Sequence, residues 1–198
     1  MMRSSMKEVI IIAGANGTGK TTFAKHYSEK YPYDFINPDD IAREINADNL
    51  EYAMVKAGKR FFRKLDDLIE GNKSFLLEST LSGKYMVRLI PRFKENGYFV
   101  KIIYIFLETP EVCIERIKER VLKGGHSIPE KDVIRRFYRS KKNFWDLYKS
   151  LADKWILVSN SEEKFIEVAI GSKENYIVNS EELFESFLME VFNESRKI

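Results

Sequence analysis

The most constraining feature of this chain is the run Glu8–Thr22, "EVIIIAGANGTGKTT". A short, continuous apolar stretch that ends at a glycine reads as a strand buried on both faces. The residues after it fit G-x-x-x-x-G-K-[ST], with Gly14, Gly19, Lys20 and Thr21 at the fixed positions. A phosphate group needs several N–H donors at close range, so the backbone must bend where side chains would clash. Gly14, Gly17 and Gly19 permit that bend. A helix starting near Lys20 aims its positive end at the anion. Lys20 can bridge the β- and γ-phosphates, and Thr21 can hold a magnesium ion. The whole run of Gly14, Ala15, Asn16, Gly17, Thr18, Gly19, Lys20, Thr21 and Thr22 is therefore expected to cradle the phosphates of a nucleotide.

The rest of the chain supplies the scaffold such a clamp needs. Apolar runs at Val9–Ala13, Asp34–Ile36, Ser74–Leu77, Val100–Phe106 and Trp155–Val158 alternate with helical patterns. This alternation predicts an α/β fold: a three-layer sandwich around a mainly parallel five-stranded sheet, of the P-loop NTPase kind. Helices are expected at Lys20–Lys30, Asp40–Ile45, Leu50–Ile69, Lys84–Glu95, Pro110–Leu122 and Pro129–Leu151. In the third, Met54, Ala57, Phe61, Leu65 and Leu68 form one apolar stripe. Pro91 predicts a kink or early end in the fourth. Thr109 is a plausible cap before Pro110, and Pro129 opens its helix in the same way. The tail reads as a hairpin, Phe165–Ala169 and Tyr176–Val178, then a helix over Glu181–Asn193 whose Phe184, Phe187, Leu188 and Phe192 can pack on the core or on a partner. With 198 residues and no linker or repeat, one domain is expected over 1–198, with a lid at about 116–140 and the hairpin and helix at about 162–198.

Composition excludes several classes. A net charge of +3 is too mild to argue for nucleic acid. No apolar run reaches the roughly 18 residues that a membrane span requires. A single cysteine, Cys113, excludes an internal disulfide and fits a reducing, cytoplasmic setting. Cys113 itself lies on an apolar helical face and reads as a small buried hydrophobe. Phe137, Tyr138, Phe144, Trp145 and Tyr148, three and four apart, read as core packing.

Two further regions decide what the clamp is for. A GTPase would carry N-K-x-D after a late strand, and none is present. In "DFINPDDIAREI", Asp39 and Asp40 follow the second strand, where a kinase places the carboxylate that orients the attacking hydroxyl. An ordinary aspartate, with a pKa of about 3.9, is a weak base, but a loose transition state asks it mainly to align the hydroxyl and take its proton late. The competing reading is a helix start, with Asn37 or Asp39 as the cap and Asp40 favoured by the dipole. The other region is "RIKERVLKGGHSIPEKDVIRRFYRSKK". Arg116, Arg120, Arg135, Arg136 and Arg139 flank a Gly-Gly hinge, as expected of a lid whose arginines neutralise a transferring phosphoryl group. The alternative is a solvated basic face. His126, in the hinge, is a candidate for substrate or phosphate contact, beside a capping or packing role.

Four segments in order, "GANGTGKTT", "INPDDIAREI", "LLESTLSGK" and "RVLKGGHSIPEKDVIRRFYRS", resemble the zeta toxin-like P-loop kinases, including small chromosomal ATPase-like members. The resemblance continues through "NFWDLY" and "WILVSNS". It implies an ATP- and Mg²⁺-dependent kinase that phosphorylates a small molecule, UDP-N-acetylglucosamine, on the 3′-hydroxyl of its amino sugar. It implies Asp39 as the base, matching the family's D-x-[FI], with Asp40 beside it on the substrate side. Lys20 matches the Walker lysine and Thr21 the metal ligand. Glu78 and Thr80 match a substrate-facing strand end, and Arg120 with Arg135 or Arg136 the lid arginines. Asn160 falls where the family has D-N-S near the adenine; here that segment reads Ser159-Asn160-Ser161. The resemblance also implies an antitoxin partner that blocks the ATP site. The chain is shorter than the plasmid toxins. The rival readings are a kinase for another metabolite or an antibiotic, and an ATP-binding or ATPase module acting through a protein partner.

Overall fold

The computed structural model describes residues 6–31, 33–45, 50–161 and 164–193. In chain order the elements are β1 (Glu8–Ala13), α1 (Lys20–Lys30), β2 (Asp34–Ile36), α2 (Pro38–Ile45), α3 (Leu50–Glu70), β3 (Phe75–Ser79), α4 (Met86–Glu95) and β4 (Phe99–Phe106). Then come α5 (Pro110–Leu122), α6 (Glu130–Asn143), a π-helical turn (Phe144–Tyr148), α7 (Lys149–Leu151), β5 (Lys154–Ser159), β6 (Ile166–Ser172), β7 (Asn175–Val178) and α8 (Glu181–Asn193). The expected strands form within two residues at each end, except the first strand of the tail hairpin, expected to end at Ala169, which runs on to Ser172. β3 runs on to Ser79 and so carries Glu78 and Ser79 inside the sheet.

The sheet order is β2-β3-β1-β4-β5-β6-β7. The first five strands are parallel, with Ala13 paired to Ser79 on one side and Tyr104 on the other. The expected five-stranded sheet is thus present, but the tail hairpin extends it to seven. β6 pairs antiparallel with β5 and β7 with β6. What fixes this docking is Trp155, whose ring lies so close to Gly171 that an added Cβ there would meet it at 2.5 Å. A short hairpin read on its own gives no sign of which edge it will join.

Apolar side chains divide over the two faces of the sheet. The larger core joins Val9, Ile11, Leu77, Ile102 and Tyr104 to α3, α4, the π turn and α8. The smaller one joins Ile10, Ile12, Ile103 and Ile105 to Ala24 of α1. The expected stripe of α3 is buried at Ala57, Phe61, Leu65 and Leu68; the side chain of Met54 lies outside the described residues. α4 continues past Pro91 to Glu95, because Leu89, Ile90 and Phe93 hold it on the sheet. Thr109 stands at the cap position of α5, but its side chain makes no capping bond. Pro129 itself occupies the cap position of α6. In α8, Phe184 and Phe187 pack inward, whereas Phe192 is exposed. No described helix is long and apolar enough to cross a membrane.

Because β1 lies between strands reached by crossovers in opposite directions, the carboxyl ends of β3, β1 and β4 open a crevice at β1. In such sheets this is where ligands bind.

Candidate active site

The loop after β1 has the shape its sequence predicts. Gly14, Gly17 and Gly19 have φ of 141°, 86° and 89°. An added Cβ would meet the carbonyl oxygen of Ile105 at 2.1 Å from Gly14 and that of Cys113 at 2.6 Å from Gly17. From Gly19 it would meet Nδ2 of Asn160 at 2.4 Å. Each glycine is therefore required twice, by its backbone angle and by a neighbour that occupies the space. Thr18 Oγ1 donates to the Ala15 carbonyl at 3.0 Å, which closes the loop on itself.

Lys20 leads α1 and is buried. Its ammonium donates to the Ala15 carbonyl at 2.8 Å and stands 3.8 Å from Glu78 Oε1. Glu78 is the hub of this edge. Thr21 Oγ1 donates to its Oε2 at 2.8 Å, and Asn37 Nδ2 does so at 3.3 Å. Both oxygens thus face the clamp. Thr22 lies on the exposed side of α1.

At the end of β2, Asn37 caps α2: its Oδ1 accepts the Asp39 N–H at 2.9 Å and its carbonyl the Ile41 N–H at 3.2 Å. Pro38 takes the first helical position. Asn37 thus takes the cap position, and in the first turn Asp39 is exposed while Asp40 is half-buried. Sequence reasoning passed over Tyr85, which begins the turn into α4. Its hydroxyl lies 3.0 Å from Ser79 Oγ. Burial of that end raises the phenol pKa, and the negative charge of Asp39 adds to the effect. Only the spacing from Glu78 along "ESTLSGKY" could have drawn attention to it.

The arginines separate. Arg136 Nη1 donates to Asn16 Oδ1 at 3.2 Å, directly on the clamp. Arg135, one residue away, pairs outward with Asp132 at 2.9 Å. Arg120 Nη2 donates to the His126 carbonyl at 2.8 Å, so it braces the hinge, and the His126 ring is exposed. Arg116 Nη2 donates to the Asn160 carbonyl at 3.0 Å. Arg139 is exposed. Asn160 Nδ2 donates to the Thr18 carbonyl at 2.9 Å. Its Oδ1 is buried without a hydrogen-bond partner among the described residues. Thr80 Oγ1 is 2.9 Å from Ser82 Oγ. Cys113 is fully buried, and burial pushes its thiol up to about 11. It is a packing residue.

The glycine cradle, a buried lysine and a threonine hydroxyl fit a magnesium nucleotide. Among the described residues no cluster of three acidic, histidine or cysteine side chains forms a metal cage.

Comparison with known proteins agrees with this geometry. The zeta toxin family model matches residues 1–169. An uncharacterized protein of Haemophilus influenzae is 34% identical over 131 residues, covering 66% of this chain and 92% of that one. A shikimate kinase of Caldanaerobacter subterraneus subsp. tengcongensis is 28% identical over 131 residues, covering 63% and 74%. Two solved structures share the fold. One is the AvrRxo1-ORF1:AvrRxo1-ORF2 complex, with a TM-score of 0.74, 18% identity and coverage of 93% of this chain and 64% of that chain. The other comes from the PezAT chromosomal toxin-antitoxin system of Streptococcus pneumoniae, with a TM-score of 0.66, 20% identity and coverage of 94% and 79%. Fold and clamp define an ATP-dependent P-loop kinase, and the chain belongs to the zeta toxin family.

Proposed function

We propose that this protein transfers the γ-phosphoryl group of ATP to a hydroxyl of a small molecule, with a sugar nucleotide of the UDP-N-acetylglucosamine type as the acceptor. The observation that carries the reading is the convergence at the β1–β3 edge: Lys20, Thr21 and Asn37 all meet Glu78, and Asn37 in turn caps the helix that presents Asp39. One side of Glu78 is a phosphate clamp, and the other is a carboxylate-bearing helix start.

Gly14–Thr22 would hold the phosphates through backbone N–H groups, and Lys20 would span the β- and γ-phosphates. A magnesium ion, bound by Thr21 and the phosphates, would neutralise charge on their oxygens. Asp39 accepts a hydrogen bond from the acceptor hydroxyl and aligns its oxygen with the γ-phosphorus. The new O–P bond forms as the bond from the γ-phosphorus to the β–γ bridging oxygen breaks. ADP leaves, and the hydroxyl proton passes to Asp39 and then to solvent. Arg136, at the clamp through Asn16, would act as the lid arginine that stabilises charge on the transferring group. Asn160, whose Oδ1 has no hydrogen-bond partner among the described residues, would meet the base. An antitoxin-type protein covering the clamp is the partner that family membership suggests.

The test is transfer from ATP and Mg²⁺ to UDP-N-acetylglucosamine, followed by mass spectrometry, with wild type beside Asp39→Asn. A product heavier by one phosphate, lost in the variant while ATP still binds, is the expected result. Transfer to shikimate or gluconate instead would keep the kinase and replace the acceptor. Equal ATP turnover in both proteins, with no product, would favour an ATPase acting through a partner.

A further inference from the structure

The segment after β3, Thr80–Gly83, lies at the acceptor side of the crevice, between Glu78 and Tyr85. Two of its N–H groups are held locally, Leu81 by Ser79 Oγ at 3.2 Å and Ser82 by Thr80 Oγ1 at 3.4 Å, whereas its carbonyls are held from elsewhere. Leu81 is a non-glycine residue at φ 54° and is fully buried. That conformation is costly for a branched side chain and persists only where surrounding groups enforce it.

Those groups come from one distant stretch of chain. Ser140 Oγ, in α6, donates to the Thr80 carbonyl. Asn143 Nδ2, at the end of α6, donates to the Leu81 carbonyl at 2.9 Å and to the Ser82 carbonyl at 3.2 Å. The Tyr148 hydroxyl, at the end of the π turn, donates to the Gly83 carbonyl. Four consecutive carbonyls are thus taken by three side chains some 60 residues away. The π turn matters here. It inserts an extra residue's worth of rotation between Asn143 and Tyr148, and such turns occur mostly where function requires an altered register. What the segment and its flanks present besides is hydroxyls, paired as Ser79 with Tyr85 at 3.0 Å and Thr80 with Ser82 at 2.9 Å, each pair with acceptor capacity to spare. The middle of α6, about two turns before Asn143, carries Arg136 on the clamp, so a single helix touches both halves of the crevice.

We infer that Asn143 and Tyr148 are positioning residues that hold Thr80–Gly83 as a preformed, hydroxyl-presenting platform for the acceptor, and so determine acceptor affinity without touching acceptor or ATP. This rests on the proposed reading of this edge as the acceptor site.

The experiment uses the full chain as wild type, Tyr148→Phe and Asn143→Asp. The first variant removes one hydroxyl from a buried ring. The second keeps the shape of the side chain but replaces a donor with an acceptor facing two carbonyls. ATP and UDP-N-acetylglucosamine kinetics are measured together with amide hydrogen exchange over residues 79–85 and 14–22. Expected are a rise in acceptor KM of roughly tenfold or more, a kcat at saturating acceptor within about twofold and an unchanged ATP KM. Exchange should quicken over 79–85 and stay as in wild type over 14–22. Acceptor KM equal to wild type in both variants would overturn the inference, as would a kcat loss with no KM change. If wild type transfers nothing to UDP-N-acetylglucosamine, the sugar-nucleotide reading fails separately, and shikimate and gluconate replace it in the KM assay. If none is a substrate, exchange over 79–85 decides: quickening supports the platform, and no change overturns it.

Discussion

The two halves of the crevice are built in opposite ways. The clamp, Gly14–Thr22, is written in nine consecutive residues. Its shape follows from three glycines, a threonine that closes the loop on Ala15, and the helix that starts at Lys20. The proposed acceptor segment, Thr80–Gly83, has one glycine and a buried leucine in a left-handed conformation, and its carbonyls are held by Ser140, Asn143 and Tyr148. A locally encoded half suits a ligand that is always the same, the nucleotide. A half shaped from afar can be re-tuned by changes at Asn143 or Tyr148, which make no hydrogen bond to the clamp among those described.

The sharpest way to break that comparison is chemical. Asp39→Asn should lower transfer by about 10²–10⁴-fold while ATP affinity, measured by equilibrium binding, stays within about twofold. A structural attack on the clamp comes next. Gly14→Ala places a methyl group 2.1 Å from the Ile105 carbonyl, so the variant should lose more than about 2 kcal/mol in denaturant unfolding, along with ATP binding. The lid arginines then test orientation. Arg136→Ala should cut kcat by roughly tenfold or more, because it removes a charge from the phosphoryl side, whereas the solvent-facing Arg135→Ala should stay within about twofold. Tyr85→Phe sharpens the acceptor half: a few-fold rise in acceptor KM is expected from the loss of one hydroxyl beside Ser79, worth about 1 kcal/mol.

The smallest effect concerns α6 itself. Lys141 lies between Ser140 and Asn143, buried, with its ammonium 4.1 Å from the Phe137 ring centre and without a hydrogen-bond partner among the described residues. Burial lowers its pKa to about 8, against the pull of Glu190, Cys113 and Glu108. The folded chain therefore releases this proton before the unfolded chain does. The group's contribution to stability rises with pH between about 8 and its ordinary value of 10.5. Lys141→Met should stabilise the protein by about 1 kcal/mol at pH 7 and remove that part of the pH dependence. Denaturant midpoints of both proteins at pH 7, 8 and 10 measure it. Cys113, whose raised pKa acts in the opposite direction over an overlapping range, is present in both proteins, and its coupling to Lys141 is part of the difference.

Much of this molecule was legible before any coordinates. Continuous apolar runs located the five parallel strands, and α1, α5 and α8 have the bounds that their periodicity and flanking residues predict. Such signals are local, so a linear reading captures them. Asn37 and Asp39 were competing candidates for the cap of α2, and only the hydrogen bond to the Asp39 N–H separates them. The choice between Arg135 and Arg136 was open for a geometric reason. Neighbouring helical residues point about 100° apart, so the inward arginine depends on which face of α6 docks. Val133, Phe137, Ser140 and Lys141 are the buried positions, and they turn Arg136 toward Asn16.

By itself, then, the sequence determined a nucleotide clamp on a parallel α/β sheet, because each of those features depends on residues adjacent in the chain or repeating at a fixed period. Tertiary structure alone decided that Glu78 turns to the clamp, that Arg136 rather than Arg135 reaches it, and that the tail hairpin extends the sheet. It also decided that Thr80–Gly83 is shaped by side chains some 60 residues away. The physical reason is common to all four. A side chain's hydrogen-bond partner is whatever packing brings within about 3 Å, and separation along the chain carries no information about that.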